Sequence, residues 1–164
     1  MGLGDQKEKM NKRYVSWDTV DRHVKRLIND MKNSEWTPDL IVGVVRGGTI
    51  PAVWMSNITG IETYMVPVSF RDNKVQNPYL PVPFLKKIAQ PEFKTLILDD
   101  INDTGETLIW IQSKIREYRM DVEKQVKYAC LMDNTPSMFK DLDYHAEKIN
   151  KDIDPEWIVF PWEK

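Results

Sequence analysis

Residues 95 to 108, Thr-Leu-Ile-Leu-Asp-Asp-Ile-Asn-Asp-Thr-Gly-Glu-Thr-Leu, constrain the fold of this chain more than any other stretch. An apolar run breaks into Asp99, Asp100 and Asp103 and then into a small-residue turn. That order reads as a buried strand delivering carboxylates to the end of a sheet, with a helix opening behind them, and in open α/β sheets ligands bind at that junction. Thr104, Gly105, Glu106 and Thr107 would bring backbone N–H groups and two hydroxyls to the helix N-terminus. Orphan donors and the helix dipole favour a phosphate there. Gly105 permits close approach, and the backbone of Glu106 matters more than its side chain. The carboxylates of Asp99 and Asp100 accept only, which suits a vicinal diol or a hard cation. A phosphate cradle beside three carboxylates fits a phosphorylated sugar, whereas free phosphate alone would be repelled.

The rest of the chain supplies the context that such a junction needs. Trp17, Val20, Val24, Leu27, Ile28 and Met31 recur at helical spacing behind Ser16 as N-cap, predicting a helix over about 17–33. Leu40 to Val45 is an apolar, β-branched run of the kind a parallel sheet covers on both faces. Arg46, Gly47 and Gly48 end it. A second helix is placed between Pro51 and Gly60, and a strand over 61–69. Residues 70–92 hold four prolines and are read as a mobile loop without regular structure. A strand over 94–98, a helix over about 105–118 with Leu108, Ile111, Ile115 and Tyr118 inward, and a strand over 126–132 follow. Strand and helix alternate, so the expected class is α/β, a mostly parallel central sheet flanked by helices. Residues 1–13 read as a loose leader and 14–164 as one domain, with the apolar tail 151–164 forming part of a small hood.

These residues resemble the type I phosphoribosyltransferase family, whose signature is an apolar strand, two acidic residues, two variable positions and Asp-Thr-Gly-x-Thr. The likeness is greatest to the bacterial xanthine-guanine members: Tyr14-Val15-Ser16-Trp17-Asp18 resembles their opening, and Val44 to Ala52 their pyrophosphate loop. Two glycines there allow a tight turn that aims N–H groups at an anion, and Arg46 adds a charged fork. The resemblance implies that Asp99 and Asp100 hold the ribose of phosphoribosyl pyrophosphate with Mg²⁺, that the turn from Asp103 to Thr107 holds its 5-phosphate, and that Arg46, Gly47 and Gly48 hold pyrophosphate. By the same likeness Asp103 is the acid/base, Trp157 stacks on the base, Ile158 offers it backbone hydrogen bonds, and Glu163 sits near the metal. Ser69-Phe70 stands at the start of the loop that closes over the reacting centre. A homo-oligomer is implied as well.

The pattern breaks at one place. Where purine-salvage relatives carry a Lys that donates to the 6-oxo group, this chain has Asp133, followed by Asn134-Thr135-Pro136. A carboxylate there would oppose an oxo group and favour an exocyclic amine, unless Asn134 turns its amide inward. The expected activity is therefore transfer of ribose 5-phosphate to a purine-like nucleobase, with a non-catalytic sensor of phosphoribosyl pyrophosphate as the alternative. With 23 Lys and Arg against 25 Asp and Glu, no basic surface marks a nucleic-acid partner. No apolar run approaches the roughly 20 residues of a membrane span. Cys130 is the only cysteine, which fits a reducing, cytoplasmic compartment. His23 and His145 are expected on the surface.

Overall fold

The computed structural model describes residues 10–68, 79–163 and, as backbone, the pairs 70–71 and 74–75. The first nine residues and Ser69 lie outside the described residues, as do parts of the expected 70–92 loop. The central sheet comprises β2 (Leu40–Val45), β3 (Glu62–Pro67), β6 (Thr95–Asn102), β7 (Val126–Asn134) and β8 (Tyr144–Ile149). Its order is β3-β2-β6-β7-β8, and every pairing is parallel. This is the α/β architecture expected from the alternation of elements. β6 is the middle strand, so its carboxyl end opens in the centre of the sheet's edge.

The strands are apolar on both sides because both faces are covered. Ile41, Leu96, Leu98, Ala129 and Leu131 face one cluster, where α1 (Trp17–Asn33) contributes Val20, Val24, Leu27, Ile28 and Met31, and α2 (Thr49–Thr59) contributes Ala52 and Met55. Leu40, Val42, Ile97, Val126 and Tyr128 face the other, against Phe84 and Ile88 of α3 (Val82–Ile88) and Leu108, Ile111 and Ile115 of α4 (Glu106–Tyr118). Ser16 caps α1 as expected, its hydroxyl accepting from the Thr19 N–H at 3.1 Å.

Five expectations need correction. α3 lies inside the proline-rich segment read as structureless. Pro81 is its N-cap and Pro83 falls in its first turn, where no backbone donor is needed, so these prolines start a helix rather than forbid one. The backbone also pairs in a short antiparallel ribbon, β4 (Phe70–Arg71) with β5 (Lys74–Val75). Residues 11–13, read as part of a loose leader, are in β1 (Asn11–Tyr14), which pairs in parallel with β9 (Glu156–Val159) in a small ribbon beside the main sheet. Trp17, placed on one helical face with the apolar residues of its helix, and Tyr118, read as inward, are 46% and 41% exposed. His23, read as a surface residue, has a side chain only 12% exposed, with Nε2 3.3 Å from Glu147 Oε2.

Glu147 also pairs with Arg13 of β1 at 2.6 Å, tying the ribbon to the edge strand. Aromatic rings secure the ribbon's other end. Phe160 stacks on Trp162 at 4.9 Å between centroids, and Trp17 lies 6.0 Å from both Trp162 and Trp54.

Leu27 is fully buried between helix and sheet. Its truncation, Leu27→Ala, should cost about 2–5 kcal/mol of unfolding free energy, read as a lower urea midpoint at unchanged slope.

Candidate active site

The site begins with where β6 stops. The strand does not end at Leu98 but runs through Asp99 and Asp100 to Asn102, which carries the acidic pair into the sheet's edge instead of releasing it into a loop. Asp99 Oδ1 accepts from the Asp100 N–H at 2.9 Å, and Asp100 Oδ1 accepts from the Ile101 N–H at 2.7 Å. Burial raises both carboxyls above the ordinary aspartate range, Asp99 to about 6; for Asp100 the neighbouring Asp99 charge and, more weakly, Glu163 add to it. Two carboxyls so held are poised for cationic or hydrogen-bond-donating company.

The turn after β2 closes against this pair. Gly48 N–H donates to Val44 O at 2.8 Å, and the Val45–Arg46 peptide is cis. A methyl group at Gly47 would land on the Asp100 carboxylate, so loop and carboxylate are in direct contact and only glycine fits. Arg46 is exposed beside them. The expected diol site and pyrophosphate loop are thus brought together.

Beyond Asn102 the chain makes the expected small-residue turn. Gly105 has φ 91° and lies against Ser137 and Phe139, where a Cβ would collide with the Ser137 hydroxyl and the Phe139 N–H. α4 opens at Glu106, its first internal bond running from the Ile109 N–H to Gly105 O at 3.0 Å. The N–H groups of its first turn have no carbonyl four residues back. A cleft of about 70 Å³ is lined by Asp99 and by residues 101–108, and it includes Asp103, Thr104, Gly105, Glu106 and Thr107. The Thr104 hydroxyl accepts from the Glu106 N–H at 3.4 Å and donates to its carboxylate at 3.3 Å.

The far end contains residues that sequence reasoning did not assign. Lys151, in the turn between β8 and β9, places Nζ 2.8 Å from Asp103 Oδ2 and 5.3 Å from the Trp157 ring centroid. Asn134 is buried and spans the two: its Nδ2 donates to Asp103 O at 3.1 Å and Asp103 Oδ1 at 3.3 Å, while its Oδ1 accepts from the Lys151 N–H at 3.0 Å. Asn102, 1% exposed, binds the loop after β7, donating to Phe139 O at 3.1 Å and accepting from the Ser137 hydroxyl at 2.8 Å. A lone amide in a buried strand was a signal for Asn102. Nothing in the local sequence pointed to Lys151.

Asp133, expected to face the base, is in β7. β7 continues through it in register with Asn102, whose amide donates to Asp133 Oδ1 at 2.8 Å, so one carboxylate oxygen is committed between strands. Ile158 is buried in the core, which leaves only its backbone for a ligand. Glu163 is exposed and accepts from the Phe160 N–H at 3.0 Å, closing the final turn. Among the described residues no three His, Cys, Asp or Glu side chains form a metal cage, so Asp99, Asp100 and Glu163 do not converge as a trio.

A family model described as the phosphoribosyl transferase domain matches residues 11–163. The chain belongs to this family. The type I phosphoribosyltransferase likeness read from the signature is therefore correct, and the parallel sheet has the family's form. Xanthine-guanine phosphoribosyltransferase of Cereibacter sphaeroides is 27% identical over 161 residues, covering 92% of this chain and 86% of that one. The enzyme of the same name from Idiomarina loihiensis is 27% identical over 153 residues, with the same coverage. Among solved structures, purine phosphoribosyltransferase of Pyrococcus horikoshii superposes with a TM-score of 0.73 at 30% identity, covering 94% of this chain and 95% of that one. Among the described residues no helix is long and apolar enough to cross a membrane.

The raised carboxyls have a consequence for stability. A folded-state pKa above the unfolded value of about 3.9 gives stability that is present below that pH and lost as pH rises through the folded pKa. Asp100→Asn removes one charge and keeps the acceptor for Ile101. It should raise the melting temperature of the ligand-free protein at pH 7, with the gain shrinking toward pH 4. A variant that melts lower than the parent at pH 7 would contradict this account of the pair.

Proposed function

We propose that this chain transfers ribose 5-phosphate from phosphoribosyl pyrophosphate to a purine-like nucleobase and releases pyrophosphate. The observation that carries the reading is the contact of three parts at one sheet edge: the acidic pair, the Arg46-Gly47-Gly48 turn packed on it, and the phosphate-sized cleft under Thr104 to Thr107.

In this reading the first-turn N–H groups of α4 and the Thr104 and Thr107 hydroxyls hold the 5-phosphate, and Asp99 and Asp100 accept from the ribose hydroxyls. The Arg46 guanidinium and the Gly47 backbone N–H hold the pyrophosphate, and Gly48, whose N–H goes to Val44 O, closes the turn behind them. Their donors stabilise the negative charge that grows as its oxygen leaves the anomeric carbon. The base nitrogen forms the new bond to that carbon, and the proton it loses passes to the Asp103 carboxylate. Trp157 gives the base a ring to stack on.

The donor set fits Mg²⁺, which takes one or two carboxylates and fills the rest of its shell with water and substrate phosphate oxygens. Asp99 and Asp100 would hold the ion, and when bound it would supply positive charge against the departing pyrophosphate.

Incubation with phosphoribosyl pyrophosphate, Mg²⁺ and a purine base should release pyrophosphate and form a nucleoside monophosphate. Asp103→Asn should lower turnover about a hundredfold or more while calorimetric binding of phosphoribosyl pyrophosphate changes little. Binding heat without pyrophosphate release, for every base offered, would mark the non-catalytic sensor. No heat at all would remove the reading.

A further inference from the structure

We infer that Asn102 is a positioning residue for the 5-phosphate of the substrate. It acts through the loop after β7, which backs the Thr104–Gly105 turn and so fixes the N–H groups that open α4. The inference rests on the transferase reading above and adds to it a residue that serves the phosphate without touching it.

Asn102 is the last residue of β6 and is buried there. An amide taken out of water is costly unless its polar atoms are all paired. Here they are. The two Nδ2 hydrogens go to Asp133 Oδ1 at 2.8 Å and to Phe139 O at 3.1 Å, and Oδ1 accepts from the Ser137 hydroxyl at 2.8 Å. Ser137 is itself buried, and its hydroxyl accepts in turn from the Phe139 N–H at 3.2 Å. A leucine at position 102 would fill similar space and ask for no partners. What the amide adds is a fixed place for residues 137–139, because a fully satisfied buried network allows one arrangement of its members.

Residues 137–139 are the wall on which the phosphate turn is set. The Met138 N–H donates to Thr104 O at 2.9 Å. A Cβ at Gly105 would come within 2.4 Å of the Phe139 nitrogen and 2.6 Å of the Ser137 hydroxyl oxygen, so the turn lies on the loop with no gap between them. From Gly105 the chain passes directly into α4 at Glu106, and both residues line the cleft. A shift of residues 137–139 therefore passes into the direction of the N–H groups there. Phe139 is anchored on its ring side by Tyr128, with centroids 5.1 Å apart, so the loop has an apolar foot, and Asn102 is its polar clamp. The Arg46-Gly47-Gly48 turn packs elsewhere, with Gly47 on Asp100, which confines the effect to the 5-phosphate end.

The test uses two probes that each carry one end of the substrate, ribose 5-phosphate and pyrophosphate with Mg²⁺. Their binding is measured by calorimetry on the full chain and on its Asn102→Leu and Ser137→Ala variants. Both variants should bind ribose 5-phosphate about tenfold more weakly or worse, with pyrophosphate binding unchanged. KM for phosphoribosyl pyrophosphate should rise with it while kcat changes little, as for an interaction used equally before and during reaction. A merely structural loss would weaken both probes together. Ser137→Ala removes a single hydroxyl and carries the comparison if Asn102→Leu does not fold by circular dichroism. Equal weakening of both probes, or undiminished binding of ribose 5-phosphate, would overturn the role of Asn102 and leave the transferase reading standing. A parent that gives no heat with ribose 5-phosphate or with phosphoribosyl pyrophosphate sinks both.

Discussion

Two carboxyls at the buried end of the central strand set the terms for everything around them. Asp99 and Asp100 are carried there because β6 is paired on both sides and continues past its apolar stretch, so the chain cannot turn away before the acids arrive. Their burial opposes ionisation, which makes the ligand-free edge an unfavourable place for charge. The remainder of the fold has to tolerate that. It does so with a double-sided apolar core, in which fully buried Leu, Ile and Val side chains each contribute roughly 1.5–3 kcal/mol. The cost is local and the support is distributed over both helical layers.

The same edge shows why glycine is required at Gly47. The turn after β2 has to lie against the Asp100 carboxyl, and any side chain would occupy that carboxyl's space. Gly105 meets a similar limit against the loop after β7, with a positive φ as well. The parts of the edge proposed to bind anions are therefore built largely from backbone, whose N–H groups are oriented by the elements on either side of each turn. Arg46 and the two threonines add to that backbone frame.

What could be read from the residues alone follows this division. Backbone-built parts have to write themselves into the sequence as glycines, small residues and a strand of fixed apolar pattern, and the stretch from Thr95 to Leu108 shows all of these. Covered strands such as Leu40–Val45 show themselves as well, because burial on two faces leaves no polar position. Elements with weaker local signatures were lost. β8 is an edge strand with alternating burial that read only as a polar stretch, and β1 is four polar or half-polar residues that become a strand only by pairing with β9. α3 was hidden by prolines whose position in the first turn makes them compatible with a helix. Lys151 was beyond reach for a different reason: its partner, Asp103, is brought to it by the sheet, and no periodicity records a contact of that kind.

The division also bears on how such a site can change. In the proposed function, binding a phosphate or a pyrophosphate depends on N–H groups fixed by the course of the main chain, so alteration there means moving the chain. The other end is built instead from side chains carried by a short turn between β8 and β9 and by the end of β7. These can be exchanged while the sheet stays as it is. Asp133 gives one carboxylate oxygen to the Asn102 amide, and Lys151, carried by another segment, meets Asp103. Asn134 makes the exchange geometrically sound, because one amide holds both the Asp103 turn and the Lys151 turn at a fixed spacing.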